Sequence, residues 1–532
     1  MKMKSSILFF FLIVVSGFFL MHHTLNYLPL LSQGDHGRDL YAFWMTTQGA
    51  LPYKSYWWVY GPLMPFYYAQ FLKMLGVSVP SILFGKFLLD LFSGVFIFFT
   101  LTELIFPLFA YLATLWFWMF LPNFFFTFNH AGGITMITAI IFCYVLYLNH
   151  RRVRYLGLGL LAIFILFLIK LNFGAAMLAV FLAGVALADK TMGVPFDSRK
   201  KNFYITALIT VPVLVFMIYA VLLAGMPIYE IRQCLPYLRG DEPHQMPLMM
   251  AIWFWWNSIA LNITFNWPNL LFALVLIAAI FRTMYLIFLP QTDKNVRRRI
   301  LLAIGFLCAG YVVCLNEYLV SGVAYRIEWS KPFSIILIFL FFGYAMRDFE
   351  RISKILLFSS LLIVIFQRFV FQVGVVQSKR MPEQYLSMDR GYVITGNDEG
   401  WHKTVKDTVD YLGRNLKSDE TFFALPYDPL YYYLAARRSP TRQIIFFDHI
   451  HIPKEQERSI IIELEAHNTE YVLVSSRMAS DERGLGILGV TYCPLLAGYI
   501  RNNYKEVASF GDWTSAPGWA WNHGVKILKR NH

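Results

Sequence analysis

The sequence predicts a polytopic α-helical membrane protein of about eleven transmembrane helices, followed by a C-terminal extracytoplasmic α/β domain. The 532 residues are 57% hydrophobic and only 15% charged, whereas soluble domains carry about a quarter charged residues. Long apolar runs recur through residues 1–372, and short strand-like runs appear only in residues 373–532. The mean hydropathy of +0.51 excludes a purely soluble, a disordered or a collagen-like protein. Five dispersed cysteines exclude a disulfide scaffold and a zinc ribbon.

Membrane spans are predicted from the length of apolar runs, since crossing the roughly 30 Å hydrocarbon layer takes about 20 apolar residues. The first run is Ile7–Met21, which follows Lys2 and Lys4. No small-residue cleavage site comes after it, so we interpret it as a retained anchor and not as a signal peptide. The further predicted spans are roughly 81–102, 105–127, 133–149, 154–170, 172–188, 203–225, 268–288, 299–321, 331–346 and 355–372.

Basic residues gather in alternate loops, and this bias predicts the topology. With a cytoplasmic N-terminus, the basic clusters at 151–154, 190–201, 294–299 and 347–354 all fall on the cytoplasmic side. This assignment requires that Leu248–Phe265 does not cross the membrane. That segment holds three tryptophans within four residues, and such amphipathic rings prefer the interface, so we predict an outer interfacial helix. The alternative is a twelfth span, which would place 297–299 outside.

The chain beyond residue 372 has a different pattern. Thr421–Leu425 and Tyr471–Val474 are short apolar runs that predict buried strands, and Lys454–Ala466 between them predicts a helix. Strand, helix and strand in succession predict a small α/β domain. We therefore divide the chain into a transmembrane module at 1–372, with its first outer loop at about 22–80, and an extracytoplasmic domain at 373–532.

The first outer loop carries the candidate catalytic residues. Asp35 and Asp39 lie four residues apart, with Arg38 between them, so a helix that began at Asp39 would let both acids face one cavity. The alternative is that these aspartates solvate the loop or cap a helix. A carboxylate directly after the first span, at membrane depth, is costly and usually functional. We therefore predict Asp35 and Asp39 as catalytic.

This loop resembles a known family. The matching residues are Asp35, Gly37, Arg38, Asp39, Gly49, Pro52, Tyr53, Tyr60, Gly61, Pro62 and Leu63. They resemble the first lumenal or periplasmic loop of the GT-C superfamily of polytopic glycosyltransferases, which includes protein O-mannosyltransferases and lipid A aminoarabinose transferases. Residues 424–429 and 432–435 are also similar to the tails of bacterial members. The resemblance leaves open whether Asp35 or Asp39 is the base.

The resemblance implies an inverting integral-membrane glycosyltransferase that uses a polyprenyl-phosphate-linked sugar donor. The implied acceptor is a lipid, a glycan or a protein on the periplasmic face, and membrane lipids, but no nucleic acid, are the other implied partners. The implied location is the bacterial inner (plasma) membrane, with the C-terminal domain in the periplasm. No cofactor and no metal ligands are predicted, although a divalent metal is compatible with the reaction. The alternatives are a transporter or flippase of lipid-linked sugars and a non-catalytic envelope-assembly protein.

Such a reaction needs a base for the acceptor hydroxyl and positive charge for the leaving phosphate. A short loop at 322–332 supplies Arg326 and Lys331, and Arg is the better bidentate donor to phosphate. The alternative is that Arg326 pairs with Glu328 at a helix start. His130 lies in a predicted tight turn, where a structural role is the alternative. The predicted substrate-binding residues are Arg38, Tyr53, Lys54, Tyr60, His130, Tyr325, Arg326, Glu328 and Lys331.

Overall fold

The computed structural model describes most of the chain. The described ranges are 2–32, 34–119, 128–235, 267–289, 293–321, 324–346, 385–395, 399–478, 485–514 and 522–531, with four single positions between 355 and 366. The predicted interfacial helix at 248–265, the end of the predicted span 105–127 and nearly all of the predicted span 355–372 lie outside the described residues.

Helices cover the predicted spans wherever the structure describes them. They are α1 (Lys2–Met21), α2 (Gly34–Thr47), α3 (Leu63–Leu75), α4 (Val79–Thr102), α5 (Pro107–Met119), α6 (Phe128–His150), α7 (Val153–Ile169), α8 (Leu171–Met192), α9 (Ser198–Ile205), α10 (Val211–Leu223), α11 (Ile228–Cys234), α12 (Trp267–Phe288), α13 (Lys294–Cys314), α14 (Asn316–Ser321) and α15 (Lys331–Ala345). Within the described ranges, six helical segments are long and apolar enough to cross a membrane, and α1, α5, α7 and α12 contribute shorter apolar helices.

The helices, the first outer loop and the C-terminal domain meet at one end of the bundle, named the domain end below. Gly61 of the outer loop donates its backbone N–H to the carbonyl of Ile169, where α7 ends. Val79, where α4 begins, donates its backbone N–H to the carbonyl of Arg390 in the C-terminal domain. The outer loop therefore lies between the bundle and the domain.

The basic loop clusters that the structure describes lie at the opposite end, named the basic end; the cluster at 347–354 lies outside the described residues. Glu103 after α4 and His150 at the end of α6 meet there, with Oε2 and Nε2 3.3 Å apart. Arg151 follows directly and is near enough to Arg299 for the two charges to interact. The cluster that begins α13 therefore lies on the same side as the cluster between α6 and α7, as the charge pattern predicts.

Two helices flank residues 236–266: α11 lies at the domain end, and α12 begins there. Gln233 of α11 donates to the carbonyl of His451 in the C-terminal domain. Ile287, at the far end of α12, packs with Ile300 in a cluster at the basic end, so α12 begins at the domain end. The segment 248–265 itself lies outside the described residues, so its interfacial position stays a prediction.

The first outer loop is mostly helical, and one prediction about it is wrong. The helix that carries the acids begins at Gly34 and not at Asp39. Asp35 therefore lies in the first turn, where a negative charge interacts favourably with the helix dipole, and Asp39 lies one turn further on. Nearly all of α2 is buried, because the C-terminal domain covers the face that an outer loop would otherwise expose.

The C-terminal domain is built on a mixed four-stranded sheet. Its strands are β3 (Phe422–Leu425), β4 (Tyr471–Ser475), β5 (Tyr504–Phe510) and β6 (Val525–Arg530), in the order β3-β4-β6-β5. β3 and β4 are parallel, and β6 is antiparallel to both of its neighbours. Its helices are α16 (Glu399–Asn415), α17 (Leu430–Leu434), α18 (Lys454–Ala466) and α19 (Pro494–Asn503), and a small hairpin joins β1 (Tyr385–Leu386) to β2 (Val393–Ile394). The predicted strands and the predicted helix at Lys454–Ala466 are confirmed.

Both faces of β3 and β4 are buried, which explains their continuous apolar sequence. Phe423 and Leu425 pack against α18 and α19 in a core that belongs to the domain alone. Phe422 and Ala424 point to the other face, where they join the core that continues into the helix bundle. The sheet is thus attached to the bundle through buried apolar contacts, and α17 and α2 lie at this junction.

We expect reporter fusions after Lys294 and after His532 to lie on opposite sides of the membrane. The basic end should face the cytoplasm, where anionic lipid and the insertion machinery favour Lys and Arg, and the C-terminal domain lies at the other end. Compartment-specific reporters fused at the two positions measure this directly. Finding both reporters on one side would contradict the topology and the placement of every site residue at the outer surface.

Candidate functional site

A buried arginine lies between two carboxylates at the start of α2. The Nη1 atom of Arg38 lies 2.5 Å from Asp35 Oδ1, and its Nη2 and Nε atoms lie 2.7 and 2.9 Å from Asp39 Oδ1. The i, i+3 spacing of Asp35 and Arg38 on one helix allows the first contact. The guanidinium fork provides the second, because Nε and Nη2 converge on one oxygen. These contacts bring the predicted catalytic pair and its predicted cation into one cluster.

The two carboxylates differ in burial. The side chain of Asp35 is 19% exposed, whereas that of Asp39 is 0% exposed. Burial raises the pKa of Asp39 from 3.8 to about 6, and the nearby Arg38 offsets only part of that effect. Burial also acts to lower the pKa of Arg38, but the two aspartates reverse this and hold that pKa well above its usual value. The arginine is therefore a permanent cation in this site.

Aromatic rings pack against the arginine of this cluster. The guanidinium carbon of Arg38 lies 5.0 Å from the ring centroid of Tyr60 and 5.5 Å from that of Trp58. On the same Tyr60 ring lies a second cation, Lys170, with its Nζ 5.6 Å from the centroid. Cation–π contacts strengthen when they are desolvated, and here they hold two positive charges close to one another.

Lys170 is a site residue that the sequence pattern did not reveal. It is the single extended residue between α7 and α8, and the structure places it at the domain end. Its Nζ lies 2.5 Å from Glu317 Oε1, and both side chains are nearly buried. The sequence feature that could have revealed Lys170 is its position between two adjoining apolar runs, because an ionisable side chain there is usually functional in a membrane protein.

A tryptophan packs Lys170 against the start of α6. Trp329 stacks on Phe173 at 4.1 Å, and Lys170 Nζ lies 4.9 Å from its ring centroid. His130 contacts the same ring at 4.8 Å and is 3% exposed. Contrary to the prediction of a tight turn, His130 lies in the first turn of α6, which begins at Phe128. A Cβ atom at Gly133 would come within 2.4 Å of Trp329, so glycine there permits this packing.

The second predicted cation loop lies beside Lys170. It forms a 3-10 helix over Ala324–Ser330 that leads directly into α15. Arg326 is half-buried and near enough to Lys170 and His130 for its charge to act on both. The ion pair recorded for Glu328 is with Lys331, one turn along the chain, and not the Arg326–Glu328 pair considered from the sequence.

The remaining predicted binding residues are placed differently. Tyr53 is fully buried and donates its hydroxyl to the carbonyl of Tyr60 at 2.5 Å, so it supports the segment that carries Tyr60. Lys54 is exposed at the surface of the outer loop. Tyr325 lies in the 3-10 helix, but its side chain is outside the described part of the structure. Their role in binding stays a prediction.

The C-terminal domain also reaches the cluster. Tyr427, which follows β3, donates its hydroxyl to Asp35 Oδ1 at 2.6 Å. It is 3% exposed, and burial together with the charge of Asp35 raises its pKa well above the usual value. The phenol therefore stays protonated and acts as a donor. No group of three or more His, Cys, Asp or Glu side chains that could hold a metal ion occurs among the described residues.

The whole architecture matches structures that are already known. ArnT from Cupriavidus metallidurans, bound to undecaprenyl phosphate, is similar over 99% of this chain and 98% of that chain, with a TM-score of 0.58 and 11% identity. The chain has the GT-C fold. The apo oligosaccharyltransferase of Archaeoglobus fulgidus, with a TM-score of 0.51 and 11% identity, shares the GT-C fold over 97% of this chain and 75% of that chain. No protein-family model and no curated protein sequence matches the chain.

The raised pKa of Asp39 predicts a pH dependence of stability. Because the pKa of Asp39 is about 6 in the folded protein and ordinarily 3.8, the contribution of Asp39 to stability is fully present below pH 3.8. It is lost as the pH rises through about 6, and a shift of this size corresponds to about 3 kcal/mol. Relative to Asp39→Asn, which cannot ionise, the wild-type melting temperature should fall between pH 4 and 6.5 and stay constant above pH 7. A difference in melting temperature between the wild type and Asp39→Asn that does not vary with pH would contradict the raised pKa of Asp39.

Proposed function

We propose that this protein is an integral-membrane glycosyltransferase that moves a sugar from a polyprenyl-phosphate-linked donor to an acceptor at the outer membrane surface. The observation that carries the proposal is an accessible carboxylate, Asp35, beside a buried arginine and a second cation at one end of an apolar helix bundle. ArnT, which shares the GT-C fold, was solved with undecaprenyl phosphate bound. The donor sugar and the acceptor are not part of the proposal.

Asp35 is proposed as the general base. A base must touch the hydroxyl whose proton it takes, and of the two carboxylates only Asp35 has exposed surface. The acceptor oxygen then attacks the anomeric carbon while the bond to the donor phosphate breaks, and the phosphate leaves with the electron pair. A single displacement at the anomeric carbon inverts its configuration. A mechanism with one base and no covalent intermediate is therefore inverting.

The cations at the domain end are proposed to hold the donor phosphate. Negative charge grows on the leaving oxygen, and fixed cations in a partly desolvated site stabilise it more strongly than water does. Arg38 and Lys170 lie on one tyrosine ring, and Arg326 interacts with Lys170. The isoprenoid chain would lie along apolar helix surface, of which α10 exposes Phe216 and Val221.

The two carboxylates can be separated by substitution. Asp35→Asn should lower turnover by about a hundredfold to ten-thousandfold, while the asparagine oxygen can still accept from Arg38 and Tyr427. Asp39→Asn should lower turnover far less, because its side chain is out of reach of an acceptor. Turnover is measured with purified protein, a polyprenyl-phosphate sugar and the identified acceptor. The exposed Asp410→Asn, on α16, is the control. The reverse ranking of the two variants would make Asp39 the base.

The role of Lys170 can be tested by comparing removal of both members of its ion pair with removal of the carboxylate alone. In the double variant Lys170→Met, Glu317→Gln, the binding of undecaprenyl phosphate should weaken about tenfold or more, since a charge-assisted contact is lost. The single variant Glu317→Gln keeps the cation and should bind at least as tightly as the wild type. Lys73→Met, at an exposed lysine of α3, controls for net charge. Equal binding by the double and single variants would show that Lys170 only packs the site.

A further inference from the structure

The feature that the mechanism above leaves unused is the contact between the C-terminal domain and Asp35. Among the described residues, both hydrogen bonds that Asp35 accepts end on Oδ1: one from Arg38 at 2.5 Å and one from Tyr427 at 2.6 Å. Tyr427 is 392 positions away in the chain. A carboxylate held by two donors on one oxygen presents its other oxygen, Oδ2, as the atom for proton transfer.

Small residues on α2 allow this contact. A Cβ atom at Gly34 would lie 2.2 Å from the Tyr427 ring, and one at Gly37 would lie 2.6 Å from the backbone nitrogen of Leu430. The two glycines therefore form a flat face at the start of α2, on which the segment from Tyr427 to Leu430 rests. Neither distance tolerates a side chain, so the glycine pair is required by the docking of this segment and not by the helix itself, where glycine is unfavourable.

The residue after Tyr427 anchors the segment to the sheet. Asp428 is 3% exposed and accepts from Ser475, just beyond the apolar part of β4, at 2.5 Å. Its other oxygen lies 3.3 Å from Arg477 Nε and 3.1 Å from His523 Nε2. Arg477 also donates to the carbonyl of Ser32, close to the start of α2. Buried charges stay in place only when they are paired and hydrogen-bonded, so this network fixes Tyr427 relative to the outer loop.

We propose that Tyr427 is a positioning residue for Asp35, so that the C-terminal domain completes the catalytic site. The proposal rests on the proposed function. The phenol holds Oδ1, and Oδ2 accepts the proton of the acceptor hydroxyl as the acceptor oxygen bonds to the anomeric carbon. The bond from that carbon to the phosphate oxygen breaks, and its electron pair leaves with the phosphate. The phenol of Tyr427 remains protonated throughout and exchanges no proton with the substrates.

A purely structural tyrosine would behave differently from a positioning residue. A hydrogen bond to the charged form of a carboxylate favours that form, so a positioning role predicts that removal of the phenol hydroxyl changes the pH–rate profile. Among the described residues, the other charged groups that interact with Asp35 are Arg38 and Asp39 on its own helix. Both are unchanged by substitution of Tyr427, so a shift in the pH profile reports the lost donor.

The test compares Tyr427→Phe with Tyr433→Phe. Tyr433 lies nearby in α17, is fully buried and donates to the carbonyl of Arg390 at 3.4 Å. Tyr433→Phe therefore also removes a buried phenol hydroxyl, but one that is not bonded to Asp35. For Tyr427→Phe we expect kcat to fall about tenfold, KM for the polyprenyl-phosphate donor to change less than twofold, and the acidic limb of the pH–rate profile to move to higher pH. Tyr433→Phe should keep the wild-type profile.

Each outcome decides the proposal. If wild-type protein transfers sugar and Asp35→Asn does not, but Tyr427→Phe has the wild-type kcat and pH profile, Tyr427 is only a packing residue. If the wild type transfers nothing to any acceptor, the proposed function fails first. Should Tyr427→Phe not fold, 3-fluorotyrosine in place of Tyr427 keeps the ring and is a stronger donor. It should move the acidic limb to lower pH, and an unmoved limb would overturn the proposal.

Discussion

A guanidinium buried between two carboxylates is the interaction on which the rest of this site depends. Arg38 is 2% exposed, and an ion removed from water at such a position costs several kcal/mol unless it is paired. Asp35 and Asp39 supply that pairing from the same helix, so α2 must keep its register and stay covered. The outer loop lies over the bundle and the C-terminal domain packs on the start of α2, and together they keep this cluster largely out of water.

The two parts of the chain meet at this cluster and share its construction. The transmembrane helices bring Lys170 and Arg326 to the domain end, beside the tyrosine ring that also contacts Arg38. The α/β domain contributes Tyr427, fixed by the buried ion network around Asp428. The structure thus joins a helix bundle with exposed apolar surface to an α/β domain that donates a hydrogen bond to Asp35.

The sequence predicts the parts of this protein whose cause is local. Apolar runs of sufficient length gave the helices, and the strand, helix and strand pattern of the tail gave its sheet, because both depend on neighbouring residues. The cluster around Arg38 was predictable from i, i+3 spacing. The start of α2 at Gly34 was not, since a glycine favours no helix start until Tyr427 packs against it. The Lys170–Glu317 pair joins distant helices, and no local pattern specifies such a partner.

Environment, and not residue type, separates the roles of the two aspartates. Asp39 accepts both Nε and Nη2 of Arg38 in a fully buried position, so its charge is committed to orienting the guanidinium. Asp35 accepts a single arginine nitrogen and keeps exposed surface. In the part of the site around Tyr60 and Trp329, the four cations Arg38, Lys170, Arg326 and Lys331 lie with four carboxylates, those of Asp35, Asp39, Glu317 and Glu328. A phosphate that enters such a neutral site must compete with a carboxylate for each cation, so the cations that can change partner decide where it binds.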